Sequence, residues 1–120
     1  MYIVLNTTMD NIKTHAAFLR SIATTKQSNK GKDIIKSAKP KQLDVLCEIL
    51  LNILRGTIEL TDGLKKKAAY YKTVLRRIVK RCLKKVLRKK LFIKYFNIIK
   101  RLIAAALPVI GITLSVLQFV

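Results

Sequence analysis

Between Lys65 and Arg101 the chain carries sixteen basic side chains and no acidic one. On a helical wheel Lys66, Arg76, Arg77, Lys80, Arg81, Lys84 and Arg88 cluster on one side, and Lys72, Lys85, Lys89 and Lys90 extend the same cationic region. Lysine and arginine in such an array hold anions in place and break no bonds, so the chemistry on offer is charge neutralisation. Like charges at i,i+4, such as Arg76 with Lys80 and Lys80 with Lys84, each cost a few tenths of a kcal/mol. A solvated face usually mixes both signs, so an unmixed one implies an external polyanion, either nucleic acid or an anionic membrane surface. If about eight phosphates were contacted, log K would fall with log salt at a slope of roughly −7. The face holds almost no Asn or Gln to read base edges, so the expected binding is indifferent to sequence. Tyr70, Tyr71, Phe92, Tyr95 and Phe96 have rings that could stack on bases, but their helical spacing favours core packing.

Reactive constellations are missing. His15 is the single histidine, and Cys47 and Cys82 share no metal-ligand spacing. The two cysteines read as buried small hydrophobes in a reducing compartment, with an inter-helix disulfide as the alternative. Asp44 and Glu48 form an i,i+4 pair whose expected place is the solvated edge of a helix, beside Lys41 and Asn52. Gly31, Gly56, Gly63 and Gly111 make no phosphate-cradling loop. Enzyme, cofactor and metal are therefore not expected.

The elements that must position these cations follow from composition. The chain has 120 residues, 25 Lys and Arg against 6 Asp and Glu, a formal net charge of +19, no Trp, 4 Gly and 2 Pro, and is 51% apolar. So much apolar surface excludes a disordered basic tail, and the scarcity of Gly, Pro and aromatics suits an all-α fold. Residues 1–24 read as a short amphipathic helix, with Ile12, His15 or Ala16, Leu19 and Ile22 along one face, and residues 25–40 as a polar linker ending at Pro40. Residues 41–101 read as a basic helical domain. Its first helix, Lys41 to Arg55, has an apolar face wide enough to be buried by more than one partner. Gly56 stands where a left-handed C-cap is wanted, Ile58 and Leu60 can tuck under the helices, and Thr61 is a candidate N-cap. A second helix from Asp62 to about Lys90, roughly 40 Å long, would present Leu64, Ala68, Tyr71, Leu75, Ile78, Val79, Cys82 and Val86 to the core. The two helices together would form a hairpin.

Nothing after Arg101 is charged. Residues 102–120 include Leu102, Ile103, Leu107, Val109, Ile110, Ile112, Leu114, Val116, Leu117 and Phe119, and as one helix would span about 28 Å against a hydrocarbon core of about 30 Å. A tail anchor, a hydrophobic arm folded back over the earlier helices and a triggered membrane-lytic segment all fit this stretch. Pro108 and Gly111 would kink a membrane helix here. The apolar surplus also makes self-association an expectation.

The residues Lys41, Leu43, Leu46, Asn52, Leu54, Gly56, Ile58, Leu60 and Thr61 match the pattern K-x-L-x-x-L…N-x-L-x-G-x-I-x-L-[ST], followed here by the Lys-rich stretch and an apolar tail with Pro and Gly. In this the chain resembles small basic proteins of adintoviruses and related Maverick/Polinton elements, which are similar to the adenovirus core protein X, the precursor of the mu peptide. The resemblance runs from about residue 39 to the end. It implies condensation of double-stranded viral DNA, in the virion and the host nucleus. The Gly-Gly junction common in such tails is replaced here by Leu91-Phe92-Ile93-Lys94-Tyr95-Phe96, so maturation by cleavage is not implied. The competing expectation is a membrane-active or tail-anchored protein that meets anionic lipid at an intracellular membrane.

Overall fold

Two glycines end the two longest helices, and the positions at which they do so set the architecture. In the computed structural model, which describes residues 12–80 and 82–112, the fold is all-α, with no strand among the described residues. A helical turn at residues 12–14 leads into α1 (Ala16–Thr24), then α2 (Ser28–Lys36), α3 (Pro40–Leu54), α4 (Asp62–Tyr70), α5 (Lys72–Ile78), α6 (Lys85–Lys94) and α7 (Phe96–Val109).

α3 starts with Pro40 at its first position, where the missing N–H costs nothing. The Lys39 N–H donates to Gln42 Oε1 at 2.8 Å. At its other end Gly56 adopts φ +78, the Gly56 N–H donates to Ile53 O and the Thr57 N–H to Asn52 O. This paired arrangement is a Schellman cap. α7 ends in the same way: Gly111 has φ +90, and the N–H groups of Gly111 and Ile112 donate to Pro108 O and Leu107 O. At 14 residues α7 is roughly 21 Å long and carries Lys100 and Arg101 within it. No helix among the described residues is long and apolar enough to cross a membrane.

Instead α7 runs through the middle of the bundle, in contact with α1, α2, α3, α4 and α6. Leu102, Ile103 and Leu107 are fully buried, Ile110 and Ile112 nearly so, and Val109 is exposed. Each such burial is worth about 1.5–3 kcal/mol relative to an exposed side chain, so this part of the apolar end is core. Leu114, Val116, Leu117 and Phe119 lie outside the described residues, as does the start of the N-terminal amphipathic stretch.

Three expectations are corrected. Residues 28–36 are not linker but helix α2, which packs on α1, α6 and α7 and buries Gly31 and Ile35. Phe96 of α7 fills the space over Gly31 so closely that a Cβ there would lie 2.1 Å from the ring. The continuous helix from Asp62 to Lys90 is broken after Ile78, with residues 79, 80 and 82–84 outside any helix. A continuous helix would align Arg76, Lys80, Lys84 and Arg88 on one unrelieved strip. The hairpin consequently pairs other segments: α4 and α5 turn back at 79–84, so that α5 meets α6 and α4 meets α7, while α3 packs across α5 and α7. Both arms of this hairpin jog at a tyrosine, Tyr71 and Tyr95, through which the i,i+4 hydrogen bonds continue. The two rings touch, with centroids 6.0 Å apart.

Candidate nucleic-acid interface

The break re-phases everything after it. Val86, expected in the core, is 67% exposed, Cys82 is exposed, and Arg88, expected on the cationic face, is 8% exposed. Arg88 Nε donates to Ile78 O at 2.9 Å and Nη2 to Lys80 O at 2.6 Å, while Nη1 lies 3.7 Å from Asp44 Oδ1. Its guanidinium thus caps the C-terminal end of α5, where freed carbonyls and the negative end of the helix dipole favour a cation. Arg88 is therefore withdrawn from the surface array. Lys89 is half-buried, and its Nζ donates to Lys36 O at 2.7 Å at the end of α2.

The remaining cations of the array stay on the surface. Lys66 on α4, Lys72, Arg76 and Arg77 on α5, Lys80 and Lys84 in the turn, and Lys85 and Lys90 on α6 are all exposed. Arg81 lies outside the described residues. The ion pairs among the described residues are Arg88 with Asp44 and Lys36 with Asp33, so none of these eight exposed cations has an acidic partner there. The array is a patch spread over two helical arms and their turn, not a stripe on one rod.

Beside it lies a cleft of about 430 Å³ between α4 and α7. Lys66, Lys67, Tyr70 and Tyr71 line it from the α4 side, and Asn97 and Arg101 from α7. No acid lines it. The aromatic residues divide sharply: Phe92 and Phe96 are core, Tyr71 and Tyr95 are half-buried, and Tyr70 is 82% exposed. The rings of Tyr70 and Tyr71 meet edge-to-face at 4.9 Å. Sequence reasoning missed Lys67, Asn97 and Arg101 as partners of Lys66. The Lys65-Lys66-Lys67 run was visible, but its juxtaposition with α7 depends on the hairpin turn, for which no Gly or Pro gives a signal.

A second cleft, about 660 Å³, is of mixed sign, with Asp44 and Glu48 facing Lys41, Lys85 and Arg88. His15 also lines it. Asp44 is not simply a solvated edge, because it pairs with Arg88. Asn52 is fully buried, with its Nδ2 donating to Glu48 O at 2.8 Å. Burial pushes the Cys47 thiol up to about 12; the Arg88 charge lowers it in part, and Asp44 and Glu48 raise it further. Its Sγ lies 3.8 Å from Ile78 O as a weak donor, so it is no nucleophile near neutral pH. Among the described residues no group of three His, Cys, Asp or Glu side chains could hold a metal ion.

Compared with known proteins, the chain matches no family model, no curated protein and no solved structure.

Proposed function

We propose that this protein binds double-stranded DNA without sequence preference and condenses it, neutralising phosphates with the exposed cations of α4, α5, the 79–84 turn and α6. The observation that carries the reading is the set of eight exposed cations Lys66, Lys72, Arg76, Arg77, Lys80, Lys84, Lys85 and Lys90, none with an ion-pair partner among the described residues. Unrelieved like charge on a folded surface raises the free energy of the protein alone, and a polyanion reverses that cost by releasing its condensed counterions. The resemblance to genome-condensing core proteins supports packaged viral DNA as the duplex, with the virion and host nucleus as its places of action. The membrane reading draws less support, because Leu102, Ile103 and Leu107 are occupied in the core.

The test is charge reversal at Arg76, Arg77 and Lys80 together, three exposed side chains that make no contact the fold needs. Affinity for several unrelated duplexes should fall by the same factor. A loss confined to one sequence, or no loss, contradicts the proposal.

A further inference from the structure

We infer that the cleft between α4 and α7 is a subsite for single-stranded nucleic acid, in which one unstacked base lies on the Tyr70 ring while Lys66, Lys67 and Arg101 hold the flanking phosphates. The inference rests on the nucleic-acid reading above and goes beyond it by naming a strand state and a place.

Tyr70 is a large ring left 82% exposed at the end of a helix that buries Ala68 and half-buries Leu64. A tyrosine buries a large area when it is covered, and its ring face is the natural platform for another flat, polarisable ring. The edge-to-face contact with Tyr71, itself braced against Tyr95, steadies the ring while most of it stays open. Every charge lining the cleft is positive. Asn97 adds a directional group: the Ser28 hydroxyl donates to its Oδ1 at 2.8 Å, which leaves its amide N–H groups to donate to a base or phosphate oxygen. The volume, about 430 Å³, lies within the usual range of ligand pockets. An aromatic platform inside a cationic groove is how single strands are held without base readout. A duplex keeps its base faces stacked and cannot use Tyr70 in this way, whereas it can use the exposed phosphate-binding patch on α5 and α6. Two neighbouring surfaces would therefore prefer different strand states.

The test compares wild type, Tyr70→Ala and Tyr70→Phe for affinity toward a short oligo(dT) strand and a duplex of similar length. Loss of one base stack should weaken oligo(dT) binding roughly five- to a hundredfold in Tyr70→Ala. Tyr70→Phe should remain near wild type, and duplex affinity should be nearly unchanged in both. A further variant, Tyr70→Trp, introduces the chain's only tryptophan; oligo(dT) should quench its fluorescence and the duplex should not. Undiminished oligo(dT) binding by Tyr70→Ala, or an equal loss toward duplex, overturns the subsite and leaves the duplex proposal standing. A fluorescence response of the Tyr70→Trp variant to anionic phospholipid vesicles, without one to oligo(dT), overturns it in favour of lipid. If wild type binds neither strand form, the duplex proposal itself has failed.

Discussion

The guanidinium of Arg88 donates to the carbonyl of Ile78, ten residues earlier, at 2.9 Å. That contact closes the turn between the two arms of the helical hairpin and takes one arginine out of an otherwise exposed cationic array. Arg88→Ala should destabilise the fold by about 1–3 kcal/mol, because it removes two charge-assisted hydrogen bonds and leaves the Ile78 carbonyl only the weak Cys47 thiol donor and the Lys80 carbonyl only the Leu83 N–H. Asp44→Asn should cost well under about 1 kcal/mol, since the Asp44 side chain is 65% exposed and its pairing is screened by solvent. Urea unfolding of the two variants checks the asymmetry; equal costs would mean that the ion pair, not the carbonyl cap, holds the turn.

Gly31 and Phe96 predict a second effect on stability. Alanine is the better helix former by about 1 kcal/mol, so Gly31→Ala would be stabilising if the site were open. Its Cβ would lie 2.1 Å from the Phe96 ring, and overpacking of this kind costs about 1–3 kcal/mol. A lower thermal midpoint for Gly31→Ala, partly restored by adding Phe96→Leu, is expected. Simple additivity of the two changes would contradict the contact.

These residues show where the sequence was readable. The apolar spacing of α3, its proline start and the Gly56 cap are local signals, and each lies where periodicity and backbone chemistry put it. Gly31 looked like a linker glycine because the residues around it are polar; its burial depends on Phe96, sixty-five positions away. The turn at 79–84 carries no Gly or Pro. It is held by Arg88, whose side chain could be assigned to the solvent face only by assuming an unbroken helix. The exposure of Tyr70 has the same root: helical spacing put its neighbour Tyr71 on the dry side but could not say where α7 would stop covering α4.

The two cysteines should differ in reactivity. Cys82 is exposed and Cys47 buried, so a thiol reagent at mildly alkaline pH should label Cys82 at once and Cys47 only on unfolding. The raised Cys47 pKa also gives a sign for pH dependence. The folded state holds the thiol proton more tightly than the unfolded chain, so this contribution to stability is intact below about 9 and is lost as pH rises toward about 12. Over that interval wild type should lose stability relative to Cys47→Ala; parallel curves would contradict the burial of an ionisable thiol.

Removing residues 102–120 would be the natural way to ask whether the apolar end is a membrane anchor. Here it would also remove Leu102, Ile103, Ala106 and Leu107, all fully buried at the centre of the bundle. The truncated chain should lose its cooperative thermal transition and its dispersed amide spectrum. A shortened chain that kept both would show that the end of α7 is peripheral to the core.

The salt dependence of duplex affinity tests the central claim most directly. Each neutralised phosphate contributes about −0.9 to the slope of log K on log salt. Wild type should give a slope of roughly −7, if about eight of its exposed cations are engaged, and the same slope on unrelated duplex sequences. Reversal of Arg76, Arg77 and Lys80 should make it shallower by about three, near one for each lost contact. A slope close to zero, or one that the triple variant leaves unchanged, would contradict a phosphate-binding surface built from α4 to α6.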